Sequence, residues 1–170
     1  MIFDKLGKKT TLKIIKFFLT KPTSEFYEKE IERSTKVTRM SVRRAISELL
    51  SENFLIKAKK GKLNIYSLNT YSPVAKKLKV LFVVDMLYSE LKNVGDAQIF
   101  LYGSSATGEY NEKSDIDVLV ISKRRDIIAK IKKIDPKVNV SFYTPMEWSK
   151  VARKDRAFFE SVEANKIRLV

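Results

Sequence analysis

The order of residue types over residues 99–122, IFLYGSSATGEYNEKSDIDVLVIS, constrains this chain more than any other feature. An apolar run at 99–102 stops at Gly103-Ser104, ten residues follow, and a second apolar run opens on Asp115-Ile116-Asp117. Both runs are short and bounded by turn-forming or polar residues, which predicts two strands joined by a polar loop. Side chains two apart in a strand share a face, so Asp115 and Asp117 are expected to point the same way. Leu119 and Ile121 follow on that face, while Ile116, Val118 and Val120 fill the other. Two carboxylates at the start of an otherwise buried strand are costly unless their charge is compensated. Convergent carboxylates suit a hard, oxygen-preferring cation, usually Mg²⁺ carrying the phosphates of a nucleotide. Gly103 lets the backbone approach a phosphate closely, and the amides of the turn after it are placed to donate to one.

Gly-Ser, ten residues, Asp-x-Asp resembles the signature of the polymerase-beta-type nucleotidyltransferase superfamily, in particular its minimal, small-domain members. The resemblance covers roughly residues 74–170, including a C-terminal segment (155–170) of the kind that closes these domains. It implies a mixed sheet flanked by helices, a triphosphate held at Gly103 and Ser104, and Mg²⁺ held by Asp115 and Asp117 as the catalytic carboxylates. Members that catalyse usually carry a third carboxylate on the next strand. Here that strand is expected at residues 137–143, KVNVSFY, and Asn139 stands in the third position with Ser141 as its same-face neighbour. Asn offers a metal a neutral carbonyl but neither accepts a proton nor neutralises charge as Asp does, which reduces the site's power to stabilise a transition state. Asp135 and Glu147 flank the strand as candidate substitutes, though neither lies at a position the family pattern predicts. The chain has no His for a base and no Cys for a nucleophile.

Charge points to a different activity. The chain carries 34 basic and 20 acidic residues, a formal +14. Residues 1–95 hold 20 basic against 9 acidic, and the remainder 14 against 11, so the excess is +11 in the first part and +3 in the second. Such concentration favours a polyanionic partner for the N-terminal half, although a Lys-rich solvated surface has the same composition. With 44% hydrophobic residues, the composition is that of a folded protein rather than a disordered one. Absence of Cys excludes disulfides and thiolate metal sites. The N-terminal MIFDKLGKKTTLK lacks the apolar centre of a signal peptide, and the longest apolar run, 80–84, is far too short to span a bilayer. The expectation is a soluble, cytoplasmic protein without a membrane partner.

In the N-terminal part, Leu12, Ile15, Phe18 and Leu19 recur at helical spacing up to Lys21-Pro22. A short acidic helix is expected over residues 24–33, with Phe26, Tyr27 and Ile31 inward. Thr38 is a candidate N-cap for a third helix, RMSVRRAISELLSEN, whose inner face is Val42, Ala45, Ile46 and Leu49. Residues 54–69 alternate around Lys-Lys-Gly-Lys and read as a hairpin. Three helices and a basic hairpin over about residues 5–70 resemble the winged helix-turn-helix family. That resemblance implies double-stranded DNA as partner. The helix after Thr38 would enter the major groove with Arg43 and Arg44, Arg39 would sit near the backbone, and Lys59, Lys60 and Lys62 would engage it from the wing.

The whole reads as an α+β chain: a winged helix-turn-helix domain at 1–72 (three helices plus a β-hairpin wing) and a minimal nucleotidyltransferase-like domain at 73–170 (a mixed sheet flanked by helices). A linking helix over 73–95 opens the second, with Pro73 at its first turn and Gly95 at its end. The width of its apolar surface suits burial on two sides, one of them against the first domain or a second subunit in a homodimer. Two functions follow. One is a DNA-binding regulator or antitoxin-like factor whose second domain binds nucleoside triphosphate and Mg²⁺. The other is a working Mg²⁺-dependent nucleotidyltransferase that modifies a protein acceptor, such as a toxin partner, or a nucleic acid.

Overall fold

The computed structural model describes residues 9–170. The start of the domain expected at 1–72, and most of the segment weighed as a signal peptide, lie outside the described residues. Contacts divide the chain into two compact units, one ending at Phe82 and the other running Val83–Val170.

In the first unit, α1 (Lys9–Thr20), β1 (Phe26–Tyr27), α2 (Glu28–Thr35), α3 (Arg39–Ser51), β2 (Leu55–Lys60) and β3 (Leu63–Leu68) follow in order. Strands β1, β3 and β2 form an antiparallel sheet in that order. The helices converge because their apolar residues repeat at helical spacing. Ile14, Phe18 and Leu19 of α1, Ile31 of α2, and Val42, Ala45, Ile46 and Leu49 of α3 are buried in one cluster. Leu12 and Ile15 pack against it from the side.

One expected element is corrected. Phe26 and Tyr27 do not open a helix; they form a short strand paired with Tyr66 and Ile65 of β3, and the helix begins at Glu28. Aromatic residues suit a half-buried strand, and the Phe26 ring packs edge-on against Phe17 (4.5 Å) and Phe18 (5.8 Å). Thr38 does occupy the N-cap of α3, but its hydroxyl donates to Ser41 Oγ (3.0 Å) rather than serving a backbone amide. The hairpin turns tightly at Gly61-Lys62, with Lys60 opposite Leu63 and Gly61 at φ +62°.

Helix α4 (Pro73–Leu91) continues into the second unit, and the division between units falls inside it. The chain turns back after α4 through Asp96 at φ +56°, not through Gly95. Asp96 is held there by Ser122 Oγ, which donates to its carbonyl (3.0 Å). The second unit then runs β4 (Ala97–Tyr102), α5 (Gly103–Thr107), β5 (Ile116–Ser122), α6 (Asp126–Lys132), β6 (Val138–Tyr143), α7 (Pro145–Lys154), α8 (Arg156–Asn165) and β7 (Ile167–Arg168).

Its four strands lie in the order β6-β5-β4-β7. Only β5 and β6 are parallel, joined by the crossover through α6; the other pairs are antiparallel, so the sheet is mixed. Alternation buries both faces. Phe100, Tyr102, Leu119 and Ile121 pack with Val162, Phe158, Trp148 and Tyr143, while Ile99, Leu101, Val118 and Val120 are fully buried on the opposite side. The final residues add β7 to the β4 edge, pairing Arg168 with Phe100 and Ile167 with Leu101. Among the described residues, no helix is long and apolar enough to cross a membrane.

Candidate functional site

The Gly-Ser and Asp-x-Asp residues meet where β4 ends and β5 begins. Tyr102, the last residue of β4, pairs with Asp117, and Asp117 pairs across the parallel ladder with Asn139. Asp117 therefore lies in the middle of three adjacent strands. Asp115 precedes β5, which starts at Ile116, and it is exposed. Its carbonyl accepts from Ser105 Oγ (3.4 Å), while Ile116 N–H donates to the Lys137 carbonyl (2.9 Å). These bonds tether the loop to α5 and to the strand next door.

Gly103 follows Tyr102 with φ +67°, a conformation in which an L side chain is strained. A Cβ at this position would lie 2.8 Å from Asp117 Oδ2. The glycine is required by the neighbouring carboxylate as well as by the turn, a reason invisible in the local sequence. Ser104 sits in α5, and its carbonyl closes the short helix by accepting from Thr107 Oγ1 (3.2 Å) and Glu109 N–H (2.9 Å).

The third-carboxylate position is occupied as the sequence indicates. Asn139 Nδ2 donates to Asp117 Oδ1 at 3.1 Å. This bond orients the Asp117 carboxylate and adds no negative charge. Two same-face neighbours form a further bond, Tyr102 OH with Ser141 Oγ at 2.9 Å. Burial raises the Tyr102 phenol above its ordinary value, with the Asp117 carboxylate acting in the same direction. Neither flanking acid reaches the site. Asp135 Oδ1 accepts from Lys137 N–H (2.8 Å) in a local turn. Glu147 accepts from the Thr144 amide (2.7 Å) and hydroxyl in the capping box of α7, which lowers its pKa. Among the described residues no group of three His, Cys, Asp or Glu side chains could hold a metal. Asp115 and Asp117 carry hard oxygen donors of the kind divalent cations prefer.

In the first unit, the cations singled out from sequence separate into three places. Arg39 and Arg43 of α3 and Lys62 of the turn line one cavity of about 530 Å³ with Lys29 and Arg33 of α2. Arg44 lines a different one with Thr10, Thr11, Ser41 and Glu48, and forms an i,i+4 pair with Glu48 (3.6 Å). Lys59 and Lys60 end β2 and are exposed. Arg43 is not a free cation: its Nε donates to Glu28 Oε2 at 2.8 Å, and Tyr66 OH donates to the other oxygen, Oε1, at 3.2 Å. Arg43 thereby holds the Glu28 carboxyl below its ordinary pKa, while burial, reinforced by Glu28, raises the Tyr66 phenol. Sequence reasoning missed Lys29 and Arg33, whose i,i+4 spacing places them on one helix face. It also missed Glu28, fifteen residues before its partner.

Residues 84–164 match the family model of the nucleotidyltransferase domain. The chain thus carries a nucleotidyltransferase domain there, spanning the Gly103, Asp117 and Asn139 constellation. Domains of this class generally use nucleotide substrates and divalent metals. No curated protein matches the chain. Among solved structures, one described as a possible transcriptional regulator from Methanosarcina mazei Go1 is similar at 22% identity and a TM-score of 0.37, covering 56% of this chain and 84% of that chain.

Proposed function

We propose that this protein is a winged-helix DNA-binding regulator whose nucleotidyltransferase domain binds Mg²⁺-nucleotide without efficient transfer. The observation that carries the reading is the bond from Asn139 to Asp117, which puts a neutral donor where a third carboxylate would stand. Asp115 and Asp117 would hold the cation, and Gly103 and Ser104 the phosphates. When bound, Mg²⁺ supplies charge neutralisation for those phosphates. The chain's own part is to orient Asp117 through Asn139 and to keep the turn at Gly103 clear of any side chain. A site of two negative charges holds such a complex more weakly than one of three, and activates an attacking hydroxyl less.

The DNA-binding half of the reading rests on the first unit's architecture and charge. Three helices, a short strand and a basic hairpin follow in the order of a winged helix-turn-helix, and α3 carries Arg39, Arg43 and Arg44 on its exposed side. Phosphate contacts from these cations and from Lys59, Lys60 and Lys62 would set position on the duplex, and side chains of α3 would read base edges. Arg43→Ala with Arg44→Ala is expected to weaken duplex binding by about tenfold or more and to flatten the log-affinity versus log-salt slope by about 1.8. Fluorescence anisotropy over a salt series measures both, and an unchanged affinity would reject α3 as the reading helix.

A second reading keeps the domain as an active nucleotidyltransferase, with an acceptor hydroxyl attacking the α-phosphate and pyrophosphate leaving. Its support is the Gly103–Asp117 juxtaposition, retained in full. It requires label transfer from radioactive nucleoside triphosphate that Asp115→Asn abolishes.

A further inference from the structure

We infer that the cavity between α2, the start of α3 and the hairpin turn is a phosphate-binding cleft for duplex DNA, in which Lys29 and Arg33 are contact residues and Glu28 positions Arg43. The inference rests on the DNA-binding reading above and specifies where on the first unit the backbone is held. The cleft is lined by five cations, Lys29, Arg33, Arg39, Arg43 and Lys62, and by two acids, Glu28 and Glu30. Both acids are already engaged within the protein. Glu28 is bound by Arg43 and Tyr66, and Glu30 Oε2 accepts from the Tyr27 amide (2.8 Å) to close the start of α2. Of the cations, Lys29, Arg33, Arg39 and Lys62 are ion-paired with no residue among those described. Arg43 uses only Nε toward Glu28, which leaves its terminal nitrogens for an outside acceptor.

Helix stability accounts for Arg33, in the last turn of α2, but not for Lys29. Lys29 lies in the first turn of α2, where the helix dipole disfavours a positive charge. Five cations around a space of about 530 Å³ repel one another, and the two acids offset only part of their charge. A phosphodiester brought into the cleft would remove that repulsion and accept from several donors at once. Glu28 has a separate effect on Arg43. Its carboxylate fixes Nε, so the guanidinium presents its remaining edge in one orientation instead of sampling many rotamers. The exposed Leu63 and half-buried Asn64 also line the cleft, adding an apolar and an amide surface beside the cations.

The test uses the full chain, a fluorescein-labelled duplex of about two helical turns and a salt series, with Lys29→Ala/Arg33→Ala as variant. Both residues are exposed on a helix and alanine is a strong helix former, so the fold is expected to survive. Lys150→Ala/Arg153→Ala on α7 is the equal-charge control. The expected result is a slope flatter by about 1.8 and an affinity reduced by about tenfold at moderate salt for the α2 variant, with a smaller change for the control. Wild-type-like binding by the α2 variant overturns the cleft while leaving the DNA reading intact, and so does equal loss in the control. A wild-type chain that fails to bind duplex even at low salt overturns the DNA reading and the cleft with it. In a parallel arm, Mg²⁺-free ATP is titrated into both proteins; binding lost only in the α2 variant would assign the cleft to free nucleotide and overturn the duplex assignment. Glu28→Gln and Glu28→Ala both lose the charge, but only the first keeps an acceptor for Arg43 Nε, so Glu28→Ala is expected to bind duplex more weakly than Glu28→Gln. Equal binding by the two variants, or tighter binding by Glu28→Ala, would overturn the positioning role.

Discussion

Gly103→Ala is expected to abolish Mg²⁺-dependent nucleotide binding and to cost about 1–2 kcal/mol of stability from the backbone alone. Two separate penalties meet at this residue. At φ +67° any L side chain is strained, and the new Cβ would stand 2.8 Å from Asp117 Oδ2. The clash is relieved if the carboxylate shifts, which disturbs its bond from Asn139 and, on the proposed reading, takes it from where it would hold Mg²⁺. Two other glycines separate these effects. Gly61→Ala, at φ +62° with open space around it, should lose stability and keep nucleotide binding. Gly95→Ala, with neither positive φ nor a neighbour within 4 Å, should change neither stability nor nucleotide binding. Urea unfolding and nucleotide titration of the three variants give the comparison. A Gly103→Ala protein that binds nucleotide like the wild type would show that Asp117 does not need the space beside it.

Asn139→Asp is expected to act in the opposite direction, raising Mg²⁺ affinity by about ten- to a hundredfold at neutral pH. Residue 139 lies directly across the parallel ladder from Asp117, so the new carboxylate converges on the existing one with no change of backbone. Without metal the same substitution should destabilise the fold, because it replaces a donor–acceptor bond by two like charges side by side on adjacent strands. Mg²⁺ should therefore raise the melting temperature of the variant more than that of the wild type. The second reading makes a different forecast for activity: if transfer is already efficient with Asn139, the added carboxylate should change its rate little. Equal Mg²⁺ affinities in the two proteins would mean that position 139 does not face the metal.

Much of this was legible in sequence where one periodicity dominates. The four inward positions of α3 are all buried, and the hairpin turns at the Lys-Lys-Gly-Lys sequence. The mixed sheet was implied by the resemblance that Gly103-Ser104 and Asp115-Ile116-Asp117 carry, and Asn139 lies across the ladder from Asp117, where that resemblance put the third position. What stayed hidden depends on contacts distant in sequence. A two-residue strand such as Phe26–Tyr27 has no period to detect; only the free edge of β3 makes it one. The Glu28–Arg43 pair joins two helices, so neither local pattern announces it. Glu147 was weighed as a metal ligand, yet Thr144-Pro-Met-Glu147 carries the spacing of a capping box, a signal that could have placed it correctly.

On the proposed reading, Asp115 and Asp117 hold a Mg²⁺-nucleotide. Isothermal titration of Mg²⁺-ATP, GTP, CTP and UTP into the wild-type chain and into Asp115→Asn/Asp117→Asn tests it directly. The expected result is saturable binding of at least one nucleotide to the wild type and its loss in the variant. Absence of binding in the wild type, or undiminished binding in the variant, would contradict it.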